Sequence, residues 1–367
     1  MSTKTNHLAP AKAIHPGEIL KDELEAKAIS QKDFATKLGI QPTQLNEIIK
    51  GKRGINTEHA VLIGKGLGMD PKIWQNLQSL YELDLVKINE RTQDRLVALD
   101  QWEMIKDFIP EKYFKKIGAI NGDPINDIPV IKDIYQINKF EELPGLYNQP
   151  AFYHNRKSEK LTVDKINLLG WVNLLKSISA NSKVERFDHK NEAEIIKGLK
   201  KLISKNDQTI IKCKEFLAEF GIKLNVLKHP EKCAVDGVSF WSNGNPAIGL
   251  SLRFNRIDNF AFTLFHELGH VFCHLVNNNT AEFIDVDINK DSSSKEDLEN
   301  EADEYANNML INKKNWDRFF SQSTRLQINS IIEFSKSEVV HPAIVKGRLC
   351  YELKSYSIKV DIDDKIY

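Results

Sequence analysis

The sequence predicts a multidomain chain: an all-α domain over residues 1–90, a helical connector over 91–205 and an α+β domain over 206–367. Three observations predict it. The chain has 367 residues, and single hydrophobic cores stop growing near about 250–300 residues. Apolar residues recur at helical spacing through the first half, as at Phe34, Ala35 and Leu38 or Leu45, Ile48 and Ile49. Near residue 206 the pattern turns mixed, with short β-like runs and clustered turn residues among the helical stretches.

Charge and cysteine usage exclude whole classes. Lys plus Arg equals Asp plus Glu at 51 each, so attraction to nucleic acid or membrane must come from a local patch. Cys213, Cys233, Cys273 and Cys350 lie far apart with no C-x-x-C pair, which argues against a disulfide framework or a cysteine-rich zinc module. They read as reduced thiols. The opening stretch "MSTKTNHLAPAKAIHPGE" has no apolar core, and no run of about 18 apolar residues occurs. A soluble, cytoplasmic protein is expected.

The first domain reads as five helices punctuated by Gly-bearing turns. Within it, "SQKDFATKLGIQPTQLNEIIKGKR" has the form of a helix-turn-helix. Ser30 caps a helix over 31–38, Gly39 supplies the turn, and Pro42 starts a second helix where its missing N–H costs little. In this motif the second helix enters the major groove of double-stranded DNA. Gln31, Gln41, Thr43, Gln44 and Asn46 are the DNA-binding candidates that present amides and hydroxyls, and Lys50, Lys52 and Arg53 form a cluster suited to phosphates. A homodimer reading paired half-sites, as in an inverted repeat, would follow. The alternative is a plain helical bundle with a solvated Lys-rich turn.

The connector is helical at "ERTQDRLVALDQWEMIKDF" and "VDKINLLGWVNLLKSIS", with breaks at "AINGDPINDIP" and "EELPGLYNQPAF". In the third region a helix at "QTIIKCKEFLAEF" ends at Gly221, "IKLNVLKH" reads as a strand, and "DGVSFWSNGNPAIGLSL" reads as a hairpin. "DVDINKDSSSKEDLEN" is taken as an exposed loop before a helix at "EADEYANNML".

The stretch "FTLFHELGHVFCH" contains H-E-x-x-H. His266 and His270 fall about one helical turn apart, roughly 6 Å along the axis, so both imidazoles share a face. The surrounding helix is apolar, and polar groups there are costly unless satisfied. A zinc ion would satisfy them, but a catalytic zinc needs a third protein ligand and an open position. Glu299 is the leading candidate, with Glu301 a nearby alternative, and Asp303 suits a group that orients an imidazole. His274 lies a further turn from the metal. Gly269 suggests close approach by a sheet or a substrate. In an active site Glu267 is the catalytic general base toward water activated by zinc, and His341 is a catalytic candidate for stabilising charge on the carbonyl oxygen. His341 could equally mark only the start of a helix before Pro342, and the motif histidines could be core residues satisfied by protein partners.

Two resemblances attach to these residues. "HPGEILKDELEAKAISQKDFATKLGI", "LNEIIKGKRGINTEHAVLIGKGLG" and "MDPKIWQNLQSLYEL" resemble the HigA-type antitoxin branch of the XRE helix-turn-helix family over residues 15–83. That resemblance implies a DNA-binding antitoxin and autorepressor whose partner is a RelE-like toxin, with the zinc domain then a non-catalytic structural or sensory module. "AIGLSLRFNRIDNFAFTLFHELGHVFCH", "ENEADEYANNML" and "HPAIVKGRL" resemble the ImmA/IrrE zinc metallopeptidases across about 206–350. This implies a zincin-like metallopeptidase fold, Zn2+ held by His266, His270 and Glu299, Glu267 as catalytic glutamate, and a regulatory protein as substrate. The E-x-x-A helix ends in "MLIN" rather than in the family's proline-terminated form, a departure at the cleft edge.

Overall fold

The computed structural model describes residues 10–147, 163–231, 233, 235–286, 293–322, 328–354 and 361–367. They form two compact units, residues 1–101 and 102–367. This division differs from the expected one: the 91–205 segment is not a separate connector but contributes most of its length to the second unit.

The first unit opens with five helices, α1 (Pro16–Ala26), α2 (Gln31–Leu38), α3 (Pro42–Ile49), α4 (Thr57–Leu67) and α5 (Pro71–Ile88). Phe34, Leu45, Ile48, Ile63 and Trp74 fill their common core. Each expected punctuation mark is present: the Ser30 hydroxyl accepts from Asp33 N, Gly39 ends α2 in the left-handed conformation at φ 72°, and Pro42 opens α3. The helix α6 (Glu90–Ile105) spans the division between Gln101 and Trp102.

In the second unit a four-stranded sheet, ordered β1-β3-β2-β4, lies between two helical layers. The strands are β1 (Lys223–Val226), β2 (Val235–Ser242), β3 (Asn245–Leu250) and β4 (Glu282–Val286). The expected hairpin joins β2 to β3, antiparallel in register from Ser242↔Asn245 to Gly237↔Leu250. Its turn residues, Asn243 and Gly244, both have positive φ, as a two-residue turn matched to strand twist requires.

The remaining helices are α7 (Glu111–Lys116), α8 (Pro124–Tyr135), α9 (Leu143–Leu146), α10 (Val163–Asn181), α11 (Glu192–Lys205), α12 (Thr209–Glu219), α13 (Ile257–Gly269), α14 (Ser293–Leu310), α15 (Lys313–Gln322), α16 (Ile328–Glu338) and α17 (Pro342–Glu352). On one face of the sheet, Val235, Val238, Phe240 and Ala247 pack with Leu169, Trp171 and Leu175 of α10 and with the core around α8. On the other, Leu224, Ile248 and Leu250 pack with Phe260, Leu264 and Leu268 of α13. The physical reason that 102–181 joins this unit is visible in the strands: β3 is buried at five consecutive positions, so both faces need a cover.

Two further expectations shift. "PINDIP" does not break a helix but begins α8, with the Asp123 carboxylate capping Ile125 N and buried Asp127 accepting from Asn121 N and Gly122 N. The acidic segment after α13 is not one exposed loop: Asp285 and Val286 belong to β4, and α14 starts at Ser293. Residues 287–292 of that segment, and "NQPAF" in the connector, lie outside the described residues.

Candidate functional site

The buried helix α13 carries His266 and Glu267 into the core at 4 % and 0 % exposure. Beyond Gly269 it widens into a π-helical turn over His270–Leu275, which keeps His270 fully buried. Helix α14 crosses it closely: a Cβ on Gly269 would meet Ala302 Cα at 3.1 Å and Tyr305 Cβ at 3.2 Å. The close approach at Gly269 is therefore made by a helix, not by the sheet or a substrate as expected, and it brings Glu299 and Asp303 over the two histidines.

His266 Nε2, His270 Nε2 and a Glu299 carboxylate oxygen converge, all within 4.8 Å of one another, the one such cluster found among the described residues. Glu299 Oε2 lies 3.2 Å from His266 Nε2 and 3.5 Å from His270 Nε2, and the two Nε2 atoms are 3.1 Å apart. On its far side the His266 ring meets Asp303, Nδ1 to Oδ1 at 2.8 Å. The donor set fits a divalent metal. With Nδ1 of His266 donating to Asp303, its Nε2 lone pair points at the point the other two donors face. Burial lowers the pKa of His270, the opposing pull of Glu299 being smaller, so the ring is neutral with a lone pair to give. Burial alone would raise the Glu299 carboxyl, but the two imidazoles facing it outweigh that cost and hold it down at about 2. Two neutral imidazoles and one carboxylate is a donor set of the catalytic zinc type.

Glu267 points elsewhere. Its carboxylate reaches β2 at Gly237, where a Cβ would stand 2.1 Å from Oε1. Gly237 is a site residue that sequence reasoning missed, although a lone glycine inside a strand is a signal of close approach. His341 sits at the N-terminus of α17, its Nδ1 accepting from Ala343 N at 3.3 Å, with Asp363 and Asp258 as the charged groups around it. That is the capping role left open for it, and the contacts described for it join it to none of the three converging donors. Beside His266, a cavity of about 550 Å3 is lined by Phe262, Asp303, Asn307, Leu310, Ile344 and Arg348 among others. Phe262 and Asp303 both touch the His266 ring.

In the first unit the DNA-facing candidates divide. Gln31, Gln41, Thr43, Asn46, Lys50 and Lys52 are exposed, and Gln41 stands at the N-cap of α3 without spending its amide on capping. Gln44 is half-buried, with its amide 3.2 Å from Nε2 of the buried His59 on α4, and Arg53 is paired with Glu47 at 2.9 Å. His59 was not singled out in the sequence, because a histidine at a helical core position carries no distinguishing local pattern.

Residues 20–74 match the helix-turn-helix family HTH_3. The chain is 33 % identical over 88 residues to virulence-associated protein I of Dichelobacter nodosus, covering 24 % of this chain and 82 % of that protein. The chain belongs to the helix-turn-helix family. Its N-terminal unit carries a helix-turn-helix domain of the XRE type. It is also 29 % identical over 68 residues to the uncharacterized HTH-type transcriptional regulator YddM of Escherichia coli K12, covering 18 % of this chain and 72 % of that one. Among solved structures it is similar to the Pseudomonas aeruginosa antitoxin HigA with the higBA promoter, at 38 % identity and a TM-score of 0.19, covering 20 % of this chain and 79 % of that one. Each of these helix-turn-helix similarities falls on a quarter of the chain or less. No helix among the described residues is long and apolar enough to cross a membrane.

Proposed function

We propose that this chain is a double-stranded-DNA-binding transcription regulator of the HigA antitoxin type that also carries a zinc-dependent endopeptidase site cleaving a regulatory protein. The observation that carries the metal reading is the convergence of His266, His270 and Glu299 within 4.8 Å, with Asp303 behind His266. Zinc bound there would supply Lewis acidity toward a peptide carbonyl and acidify water. The chain's own residues do the rest. Glu267 accepts the proton of the attacking water and returns it to the leaving amine, and the cavity beside His266 receives a substrate side chain.

DNA recognition rests on α3. Gln41 at its N-cap and the exposed Thr43 and Asn46 reach base edges, Lys50 and Lys52 contact phosphates, and the solvent-facing apolar residues Leu80, Leu83 and Val86 of α5 suit a homodimer contact.

A second reading is favoured by one observation. Glu267 is fully buried against β2, and a general base needs a path to its water. Under this reading the metal site is a structural or sensory module of an antitoxin that represses its operon and holds a RelE-like toxin. The deciding experiment compares newly formed protein N-termini in cells carrying the wild-type chain or Glu267→Gln. Cleavages that vanish in the variant support the peptidase; identical profiles in growth and under stress favour the module.

A further inference from the structure

His270 and His266 are supported differently, and the difference points to two residues with no role so far. His274, a further turn along, and Glu301, beside Glu299, could each be considered as a metal ligand, yet the fold pairs them with one another. His274 lies within the π-helical turn over His270–Leu275, its Nδ1 3.0 Å from Nδ1 of His270. Its Nε2 lies 3.1 Å from Glu301 Oε2. Phe283 of β4 stacks on His270 at 4.5 Å and 12° and lies 5.1 Å from the His274 ring, walling both.

Proton bookkeeping leaves a single arrangement. A neutral imidazole has one N–H and one lone pair. If His270 gives its Nε2 lone pair to a metal, its proton is on Nδ1, and among the described residues the His274 Nδ1 lone pair, 3.0 Å away, is there to accept it. His274 then carries its own proton on Nε2 and donates it to Glu301. Asp303 does the same for His266 in one step. We infer that His274 and Glu301 are positioning residues that hold His270 in its Nε2-ligating tautomer and orientation through a two-bond relay. This inference rests on the metal reading of the site, and it extends that reading to residues that touch neither metal nor substrate.

The test uses the full chain, stripped of metal, and titrates it with Zn2+ against a chromophoric chelator and with Co2+ while following the visible ligand-field bands. His274→Ala is expected to weaken Zn2+ binding about 10- to 100-fold, the usual cost of losing a partner behind a ligand, and to shift the Co2+ bands as the His270 ring turns. His274→Asn, whose side-chain oxygen can accept from His270 Nδ1, is expected to restore most of the affinity. Glu301→Gln, which still accepts from His274, should bind more tightly than Glu301→Ala. Glu301 is exposed, so its variants leave the core intact, and circular dichroism of His274→Ala reports its folding. Wild-type affinity and an unchanged Co2+ spectrum in folded His274→Ala overturn the inference alone. A wild-type chain that takes up no stoichiometric Zn2+ overturns the metal reading itself.

Discussion

Glu299 and Asp303 illustrate how single residues on one helix acquire different tasks. Both reach His266, but Glu299 meets Nε2 and Asp303 meets Nδ1, so one belongs to the donor set and the other holds a donor. Glu299→Ala should therefore abolish stoichiometric zinc binding, and Asp303→Ala should weaken it about 10- to 100-fold, both read by equilibrium dialysis. Gly237 sets a different constraint. Its alanine variant would force a methyl group against the Glu267 carboxylate, and overpacking of this kind costs about 1–3 kcal/mol. Chemical denaturation of Gly237→Ala should show that loss, together with any peptidase activity of the wild type.

The helix-turn-helix is an element whose parts separate cleanly. Ser30→Ala removes a cap from α2 and should cost about 1 kcal/mol in thermal or chemical unfolding, with DNA affinity falling only as far as the fold does. Lys52→Ala removes an exposed cation and should weaken binding to every sequence while lowering the salt slope by about 1. Asn46→Ala should instead blur base preference at one position, as measured by competition between operator variants. Arg53 is expected to contribute less than Lys52, because its guanidinium is already held by Glu47. The α13 helix is the contrasting element: most of its residues are buried, so His266 and Glu267 owe their positions to what packs on them.

At the scale of the molecule, the two units make a prediction about dissection. A fragment of residues 206–367 lacks α8 and α10 and exposes the face of the sheet carrying Val235, Val238, Phe240 and Ala247. It should be insoluble or molten, whereas 102–367 should unfold cooperatively, as circular dichroism and proteolysis would show. A connector that merely linked two domains would leave the shorter fragment folded.

Most elements with a local cause were legible in advance. Ser30, Gly39 and Pro42 mark α2 and α3 because caps, left-handed turns and helix starts depend on neighbouring backbone, and Asn243-Gly244 marks its hairpin for the same reason. The spacing of His266 and His270 was legible because a helix has a fixed rise, and the E-x-x-A pattern pointed to Glu299 before any contact was known. Other features depend on which distant segments meet. The second helical layer on the sheet, the Glu267 carboxylate against Gly237, and His59 holding Gln44 all join residues whose local patterns say nothing of each other. So does the pairing of His274 with Glu301, which needs the crossing helix α14. Local backbone preference and helical period are written along the chain, but close packing of separate segments is settled only when they share one core.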